Sequence, residues 1–377
     1  MSNTVLLGKY TKIKTGKLDA NASSENGQYP FFTCSQIPLK IDSYSYDCEC
    51  VLVAGNGELN TKYYEGKFDA YQRTYIIESL DKQSLSVKYL YYFLDKYVER
   101  LREMSIGGVI KYIKLGYLTE AKIPLPPLSI QQSIADILDR TSALIEERKA
   151  QIAKLDLLVK ARFVEMFGDP VTNPMGWEMK RLGECGSLKN GMNFSQHDTG
   201  YIIRCLGVGD FKDFYTIEDI SVLSEINLSA TPAADYLLRD GDIVFVRSNG
   251  NRELVGRSVE VFPKSGELTF SGFCIRYRNE SPELSTVYLN HALHLSTLRA
   301  ALLSDGRGAN IQNINQQMLA SLAIPLPPLR FQTRFADFVQ QTDKSKFEIQ
   351  QGLERLDVLY KALMQEYFRC DIREDKI

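Results

Sequence analysis

Histidine is scarce, at 3 of 377 residues, tryptophan occurs once, and no apolar run approaches the ~20 residues that cross a bilayer. The opening Met1-Ser2-Asn3-Thr4 leads into no signal-peptide core, so a cytoplasmic protein without membrane association is expected. The 7 cysteines are odd in number and scattered, which fits reduced thiols better than a disulfide framework. Cys48 and Cys50 form a C-x-C pair without the second pair a zinc site wants. His291 and His294 have no cysteine or carboxylate at ligand spacing, so no metal is expected. An excess of either charge is missing too: 45 basic side chains stand against 47 acidic, a net charge of −2. That balance argues against a protein that holds nucleic acid by bulk charge alone, but not against a reader of base edges working inside a larger complex. There is no G-x-x-x-x-G-K-[ST] loop, no glycine-rich S-adenosylmethionine loop after a strand, and no Ser/His/Asp or Cys/His pairing. The residues thus offer no recognisable phosphate-binding, cofactor-binding or catalytic motif.

What is present is a duplication. Ile123-Pro124-Leu125-Pro126-Pro127-Leu128 opens a long helical segment, and Ile324-Pro325-Leu326-Pro327-Pro328-Leu329 opens another, 201 residues later. The register holds along both helices: Gln131 maps to Gln332, Asp156 to Asp357, Lys160 to Lys361 and Phe167 to Phe368. A period this long is not that of a solenoid; it means two copies of one large unit, each a globular part followed by a helix. The divisions are a first globular domain over 1–122, strap and helix over 123–169, a second domain over 170–323, strap and helix over 324–371, and a tail over 372–377. Phe167-Gly168-Asp169-Pro170 through Asn173-Pro174-Met175-Gly176-Trp177, dense in turn formers, is the linker.

Within the first globular part, Val5 to Leu18 suits a short strand or helical turn, Asp19 to Gln28 an exposed loop, Tyr29 to Thr33 and Cys50 to Ala54 strands, and residues 85–104 an amphipathic helix. Val109 to Leu115 alternates like a further strand. The second part repeats the plan, with Leu182-Gly183 and Gly191 echoing Leu7-Gly8 and Gly16, Ile243 to Val246 echoing the Val51 strand, and a helix expected from Ser285 to Leu303. Strands and helices mix without βαβ alternation, so the fold class is α+β.

Proline cannot donate to a ladder and holds its predecessor extended, so each I-P-L-P-P-L is a stiff strap that fixes where the helix begins. After it, Ile134, Leu138, Thr141, Ile145, Arg148, Ile152, Leu155, Val159, Arg162 and Met166 recur at steps of four and three. Phe335, Val339, Thr342, Lys346, Ile349, Leu353, Leu356, Tyr360, Leu363 and Tyr367 do so in the second copy. Such a stripe is a coiled-coil signal, the alternative being that each helix packs on its own domain as an ordinary surface helix. The simplest partner for each helix is the other, paired antiparallel within the chain, which would place the two domains at opposite ends.

The duplicated straps, the Gln-Gln-Ser-Ile-Ala-Asp-Ile-Leu-Asp and Leu-Asp-Leu-Leu-Val-Lys-Ala-Arg-Phe runs, and the Phe-Gly-Asp-Pro…Asn-Pro-x-Gly-Trp linker closely resemble the DNA-specificity subunit of Type I restriction–modification systems. The resemblance covers essentially the whole chain; one departure is the short lead before Val5. It implies a non-catalytic reader of double-stranded DNA in which each globular part is a target recognition domain for one half of a split sequence. The helices would set the separation and dock two methyltransferase subunits, and restriction subunits through them. S-adenosylmethionine and ATP with Mg would belong to those partners, and the target adenine would flip into a partner's pocket. A coiled-coil scaffold holding two protein- or glycan-binding domains is the first alternative, and a methyltransferase in its own right the second.

Base readout favours Arg or Lys on guanine and Asn or Gln on adenine, presented from protruding loops. The candidates are Lys14, Lys17, Asn21, Asn26, Gln28, Asn56, Lys111 and Lys114 in the first domain. In the second they are Lys189, Asn193, Arg247, Asn249, Asn251, Arg252, Arg307, Asn310, Gln312 and Asn313, with Arg247 and Arg307 foremost. Partner contacts are expected on the outward helix faces, at Glu146, Glu147, Lys154, Glu348 and Arg355.

Overall fold

The computed structural model describes residues 4–195, 197–211, 215–304 and 313–369. It divides into two compact units: the chain up to Gln151 together with the part from Ile349 onward, and Ile152–Glu348. Each unit therefore holds one globular domain, the start of one long helix and the end of the other.

The first domain runs β1 (Thr4–Leu6), β2 (Thr11–Thr15), β3 (Tyr29–Phe32), β4 (Leu39–Ile41), β5 (Tyr46–Ala54), β6 (Thr61–Ala70), β7 (Thr74–Ser79), α1 (Val87–Met104), α2 (Leu115–Thr119) and β8 (Lys122–Pro124). It is followed by the first long helix, α3 (Leu128–Phe167). Among the described residues β2-β7-β5-β6-β3-β4 form one sheet, antiparallel except where β3 meets β6. Because successive strand residues face opposite sides, Val51 and Val53 enter a core with Leu90, Phe93 and Leu94 of α1, while Cys50 and Leu52 enter a second with Phe32 and Phe68.

The second domain runs β9 (Glu178–Arg181), α4 (Leu182–Cys185), β10 (Gly186–Asn190), β11 (Tyr201–Leu206), β12 (Thr216–Ile217), β13 (Glu225–Leu228), β14 (Asp242–Val246), β15 (Ser258–Val261), β16 (Leu268–Phe270), β17 (Cys274–Asn279), α5 (Thr286–Leu293), α6 (Ser296–Ser304), α7 (Gln316–Ser321) and β18 (Ala323–Leu326). The second long helix, α8 (Leu329–Tyr367), follows. Strand order β10-β17-β14-β15-β12 repeats the β2-β7-β5-β6 arrangement, and β14 divides its side chains between two cores as β5 does, Ile243 and Phe245 to one, Val244 and Val246 to the other. A three-stranded sheet, β13-β11-β16, is added.

Two local expectations are corrected. Val109 to Leu115 is not a strand: residues 107–111 form a turn, Tyr112 makes only isolated bridges to Asn56 and Ile106, and Leu115 begins α2. The helix expected over 285–303 is broken into α5 and α6, where the His294 ring joins its own backbone N–H on the Asn290 carbonyl and Leu295 turns back to Ala292.

The proline straps are anchored twice. Their first residues are strands: Ile123 pairs with Val5 and Ile324 with Lys180. One turn into each helix a fully buried glutamine then ties strap, domain and helix together. Gln131 Nε2 donates to the carbonyls of Ser84 (2.9 Å) and Pro126 (2.8 Å), and its Oε1 accepts from Ser86 N (2.9 Å). Gln332 repeats this on Glu283 (2.9 Å), Pro327 (2.6 Å) and Ser285 N (2.8 Å). Ser86 and Ser285 in turn cap α1 and α5, and Tyr89 and Tyr288 donate to the strap carbonyls of Pro124 and Pro325, both at 2.9 Å.

Every seam position named from the sequence is buried or half-buried. Along α3, Asp156 meets Lys346 (2.7 Å), the Arg162 guanidinium lies over the Phe338 ring (5.9 Å) and Phe167 meets Phe335 (5.6 Å between centroids), so α8 numbering falls as α3 advances and the pairing is antiparallel. In the first unit the same sense holds: Met364 and Phe368 from the end of α8 share a core with Ile134 and Leu138 from the start of α3. The helix ends are held by aromatics off the seam, Phe163 and Phe167 against Tyr288, and Phe368 against Tyr89.

Replacing either glutamine by leucine leaves one buried backbone N–H and two carbonyls unpaired. Gln131→Leu and Gln332→Leu are each expected to cost about 2–4 kcal/mol in urea unfolding; a loss under about 1 kcal/mol would show that water re-satisfies these groups.

Candidate nucleic-acid interface

In the first domain four loops converge at one end of the sheet. Gly55 N donates to Arg73 O (2.8 Å), Ile113 N to Gly55 O (2.9 Å), Gly57 N to Lys111 O (3.0 Å) and Gln72 N to Leu18 O (2.8 Å). Gly16 lies so close to the carbonyls of Ala70 and Tyr71 that a Cβ would overlap them, as one on Gly191 would overlap those of Phe270 and Ser271; only glycine lets these chains meet. Thr15, Gly55, Gln72, Arg73, Tyr75 and Ile113 line an open hollow of about 310 Å³ there.

This end gathers part of the sequence-derived set. Lys17 and Asn21 are exposed on the loop that the Asp19–Gln72 hydrogen bond (2.6 Å) draws in, and Asn56 and Lys111 are bridged into the same cluster. Lys114 is exposed just before α2. Asn26 and Gln28 are exposed but run beside β4, where Ser24 N donates to Lys40 O (2.8 Å). Lys14 is committed elsewhere: its ammonium pairs with Glu78 (2.6 Å) and lies over the Tyr46 ring (4.8 Å). Burial works against that charge, but the hydrogen bond and charge of Glu78 outweigh it and hold the lysine above its ordinary range. Arg73, exposed at the centre of the cluster, escaped the sequence reading. Its signal was the polar Gln72-Arg73 turn that joins β6 to β7, two strands lying on either side of β5.

The second domain builds the same end with other side chains. Arg247 N donates to Phe273 O (2.8 Å) and its carbonyl accepts from Ile314 N (2.9 Å), the two bonds Gly55 makes. Arg247 is thus the structural counterpart of Gly55, and exposed Phe273 the counterpart of Arg73. The Arg247 guanidinium donates to Gly272 O (3.1 Å), and Ser248 bridges to Asn313. Asn193, exposed, packs its Oδ1 on Gly272. Asn249 and Asn251 shape the loop itself, each Oδ1 taking a backbone N–H two residues on, at 2.7 and 3.0 Å. Arg252 is exposed beside them. Lys189, like Lys14, is held in an ion pair, with Asp235 (3.3 Å) and over the Tyr236 ring (4.8 Å). Arg307, Asn310 and Gln312 lie outside the described residues.

On the long helices Glu146, Glu147, Lys154, Glu348 and Arg355 are all exposed, Glu146 pairing with Lys149 (2.8 Å). Glu147 and Glu348 share one register position, Lys154 and Arg355 another. The sequence reading passed over two apolar doublets beside them, Leu157-Leu158 and Val358-Leu359, again register mates. Leu157 is 64% exposed and Val358 69%. Their signal was apolar residues at matched positions off the seam.

Among the described residues no group of His, Cys, Asp and Glu is placed to hold a metal, and no helix is long and apolar enough to cross a membrane. The described cysteines are free thiols. His291 stacks on Tyr215 (4.6 Å) and meets Phe335 edge-on (5.1 Å); burial first, then the charges of His294 and Lys346, push its pKa down to about 3, so it is a neutral packing residue.

Two α+β modules, each clamped to an antiparallel helix pair and each presenting a loop cluster at an equivalent place, define a class of duplicated recognition proteins. The chain belongs to the Type I restriction modification DNA specificity domain family, whose model matches residues 4–155 and 174–356. It is 42% identical over 157 residues to the EcoDI specificity subunit of Escherichia coli, covering 42% of this chain and 35% of that one. It is 27% identical to the StySPI specificity subunit of Salmonella potsdam, covering 76% of this chain and 66% of that one. A specificity subunit from Haemophilus influenzae is matched at 23% identity over 91% of this chain and 87% of its own. The chain thus spans from about a third to two thirds of the first two relatives. In fold it is similar to the S subunit of a Type I restriction–modification system from M. genitalium, with TM-score 0.63 and 16% identity over 98% of this chain and 96% of that one. A second likeness, with TM-score 0.58 and 18% identity over 98% of each chain, is to a structure addressing complex assembly and conformational transition of the type I R-M system.

Lys111→Ala is expected to lower the salt slope of DNA binding by about one, as for one lost phosphate contact. Lys14→Ala should leave the slope unchanged and lower thermal stability instead; a slope change for Lys14 alone would reverse the two roles.

Proposed function

We propose that the chain is the non-catalytic DNA-recognition subunit of a Type I restriction–modification complex, each domain reading one half of a bipartite target. The observation that carries this is the pair of equivalent loop clusters on duplicate frames, with different side chains at matched backbone positions: Gly55 against Arg247, Arg73 against Phe273. A duplicated frame with unlike polar tips is what reading two unlike half-sites requires, since phosphate contacts position a protein and base contacts specify the sequence. The near-neutral charge fits a reader that depends on partners for much of its phosphate attraction.

The partners in this reading are two methyltransferase subunits and, through them, restriction subunits, with S-adenosylmethionine and ATP with Mg residing on those chains in the cytoplasm. Two matched outward patches, Glu147, Lys154 and Leu157-Leu158 on one helix and Glu348, Arg355 and Val358-Leu359 on the other, offer two near-equivalent seats to two identical partners. Exposed apolar doublets ringed by charge have the composition of an interface core with a polar rim.

A gel-shift selection on random duplexes with the methyltransferase present tests the reading: enrichment of a split sequence is expected, whereas a scaffold for protein or glycan ligands would enrich none. Inserting one heptad after Ile152 and one after Leu353 should lengthen the unread spacer and leave both half-sites unchanged. Leu157→Asp with Val358→Asp should weaken methyltransferase association about tenfold or more without unfolding the chain; undiminished association would remove these patches from the docking surface.

A further inference from the structure

The loop cluster of the first domain carries an apolar tip that its hydrogen-bonding neighbours do not explain. Ile106 and Tyr112 exchange backbone hydrogen bonds (3.0 and 2.8 Å) and close a narrow turn over Gly107, Gly108, Val109, Ile110 and Lys111. Gly107 holds φ +121°, and a Cβ there would strike the Ile110 carbonyl, so the turn is fixed by its sequence. At its apex Val109 is 104% exposed and Ile110 63%, and neither belongs to a core cluster. Two adjacent apolar side chains held largely in water at a turn apex bury little against the fold.

Their surroundings say what could cover them. From Ser105 to Thr119 the chain has no acidic residue, and Lys111 and Lys114, both exposed, follow the apex. Through Gly57 N and Lys111 O the turn is tied to the Asn56 loop, and through Gly55 to Arg73. An apolar apex with cations at its base matches a duplex groove: phosphates on the rims meet the lysines and arginine, and the apex meets the stacked bases between them. Both side chains are β-branched and stiff at χ1, so little rotamer freedom is lost on insertion.

Resting on the reading that this loop cluster faces DNA, we propose that Val109 and Ile110 form an apolar wedge that inserts against the base stack of the half-site read by the first domain, bending the duplex there. Apolar side chains that enter between base steps unstack them partially and kink the helix. The wedge supplies readout by deformability, favouring pyrimidine–purine steps at positions that receive no hydrogen bond.

The test uses the full chain assembled with its methyltransferase, on a duplex containing the selected target, with end-to-end fluorescence energy transfer reporting the bend. Val109→Ser with Ile110→Ser is expected to bind the target about tenfold more weakly and to bend it less, with the slope of log affinity against log salt unchanged. Val109→Leu with Ile110→Leu should keep both affinity and bend. Parent-like binding and bending by the serine variant would overturn the wedge. So would loss of methyltransferase association by that variant in the absence of DNA, which would make the apex a protein contact. If the parent assembly selected no sequence, the recognition reading itself would fall; if it selects one and the serine variant is unchanged, the wedge alone does.

Discussion

A single buried glutamine, used twice, is the constraint on which each half of this protein depends. Gln131 and Gln332 each satisfy three backbone groups on two separate pieces of chain: two at the entry to a domain helix, its N-cap included, and one in the proline strap. The prolines make that arrangement necessary. A strap that cannot donate hydrogen bonds leaves carbonyls needing partners where the chain turns into the long helix, and only a side chain with donors on one end and an acceptor on the other can serve them all. Because the groups are buried, an imperfect clamp costs the full desolvation of each unpaired atom. The direction in which each long helix leaves its domain is thus fixed by hydrogen bonds rather than by the coiled-coil seam.

The seam performs a different task. Its apolar positions bury, but its polar ones are not neutral filler: Lys346 reaches Asp156 across the helix pair, and Arg162 lies over Phe338. Pairs of this kind, half in water, add little stability, yet each is satisfied in only one register. Aromatic residues at the helix ends, Phe163, Phe167 and Phe368, then dock on the domains' own tyrosines, Tyr288 and Tyr89. The helix pair and the domain cores are consequently one continuous packing within each unit.

Much of this frame was legible in the sequence because it is periodic or repeated. The 201-residue register, the four-three seam and the α+β class follow from spacing alone, and the Val51 and Ile243 strands from β-branched runs. What escaped has a common cause: it lies where long-range pairing overrides local pattern. Val109 to Leu115 alternates as a strand does, but only residues 111–113 pair, with residues 55–57 beyond the end of β5, and Val109 and Ile110 are left as an exposed apex. Gln131 was visible as a repeated residue, whereas its clamp joins positions about 45 residues apart. Arg73 was missed because β6 and β7 carry mixed polar sequences whose pairing with β5 only the fold reveals. Among the proposed DNA contacts, Lys14 and Lys189 looked like loop cations, and their commitment to Glu78 and Asp235 depends on neighbours remote in sequence.

The two loop clusters share one backbone lattice and carry different side chains on it. The bonds from residue 55 or 247 to residue 73 or 273, and from residue 113 or 314 back again, are backbone to backbone and so indifferent to side-chain identity. The positions they join can therefore exchange glycine for arginine and arginine for phenylalanine without a change of frame. The arginine of each cluster consequently emerges from a different strand end, Arg73 from the β6–β7 turn and Arg247 from the end of β14, and would approach a base edge along a different path. A fixed backbone lattice with free side chains confines variation to the surface that would meet DNA. The glutamine clamps, which depend on side-chain identity, are held identical between the copies, Gln131 and Gln332 each bonding the same three backbone groups.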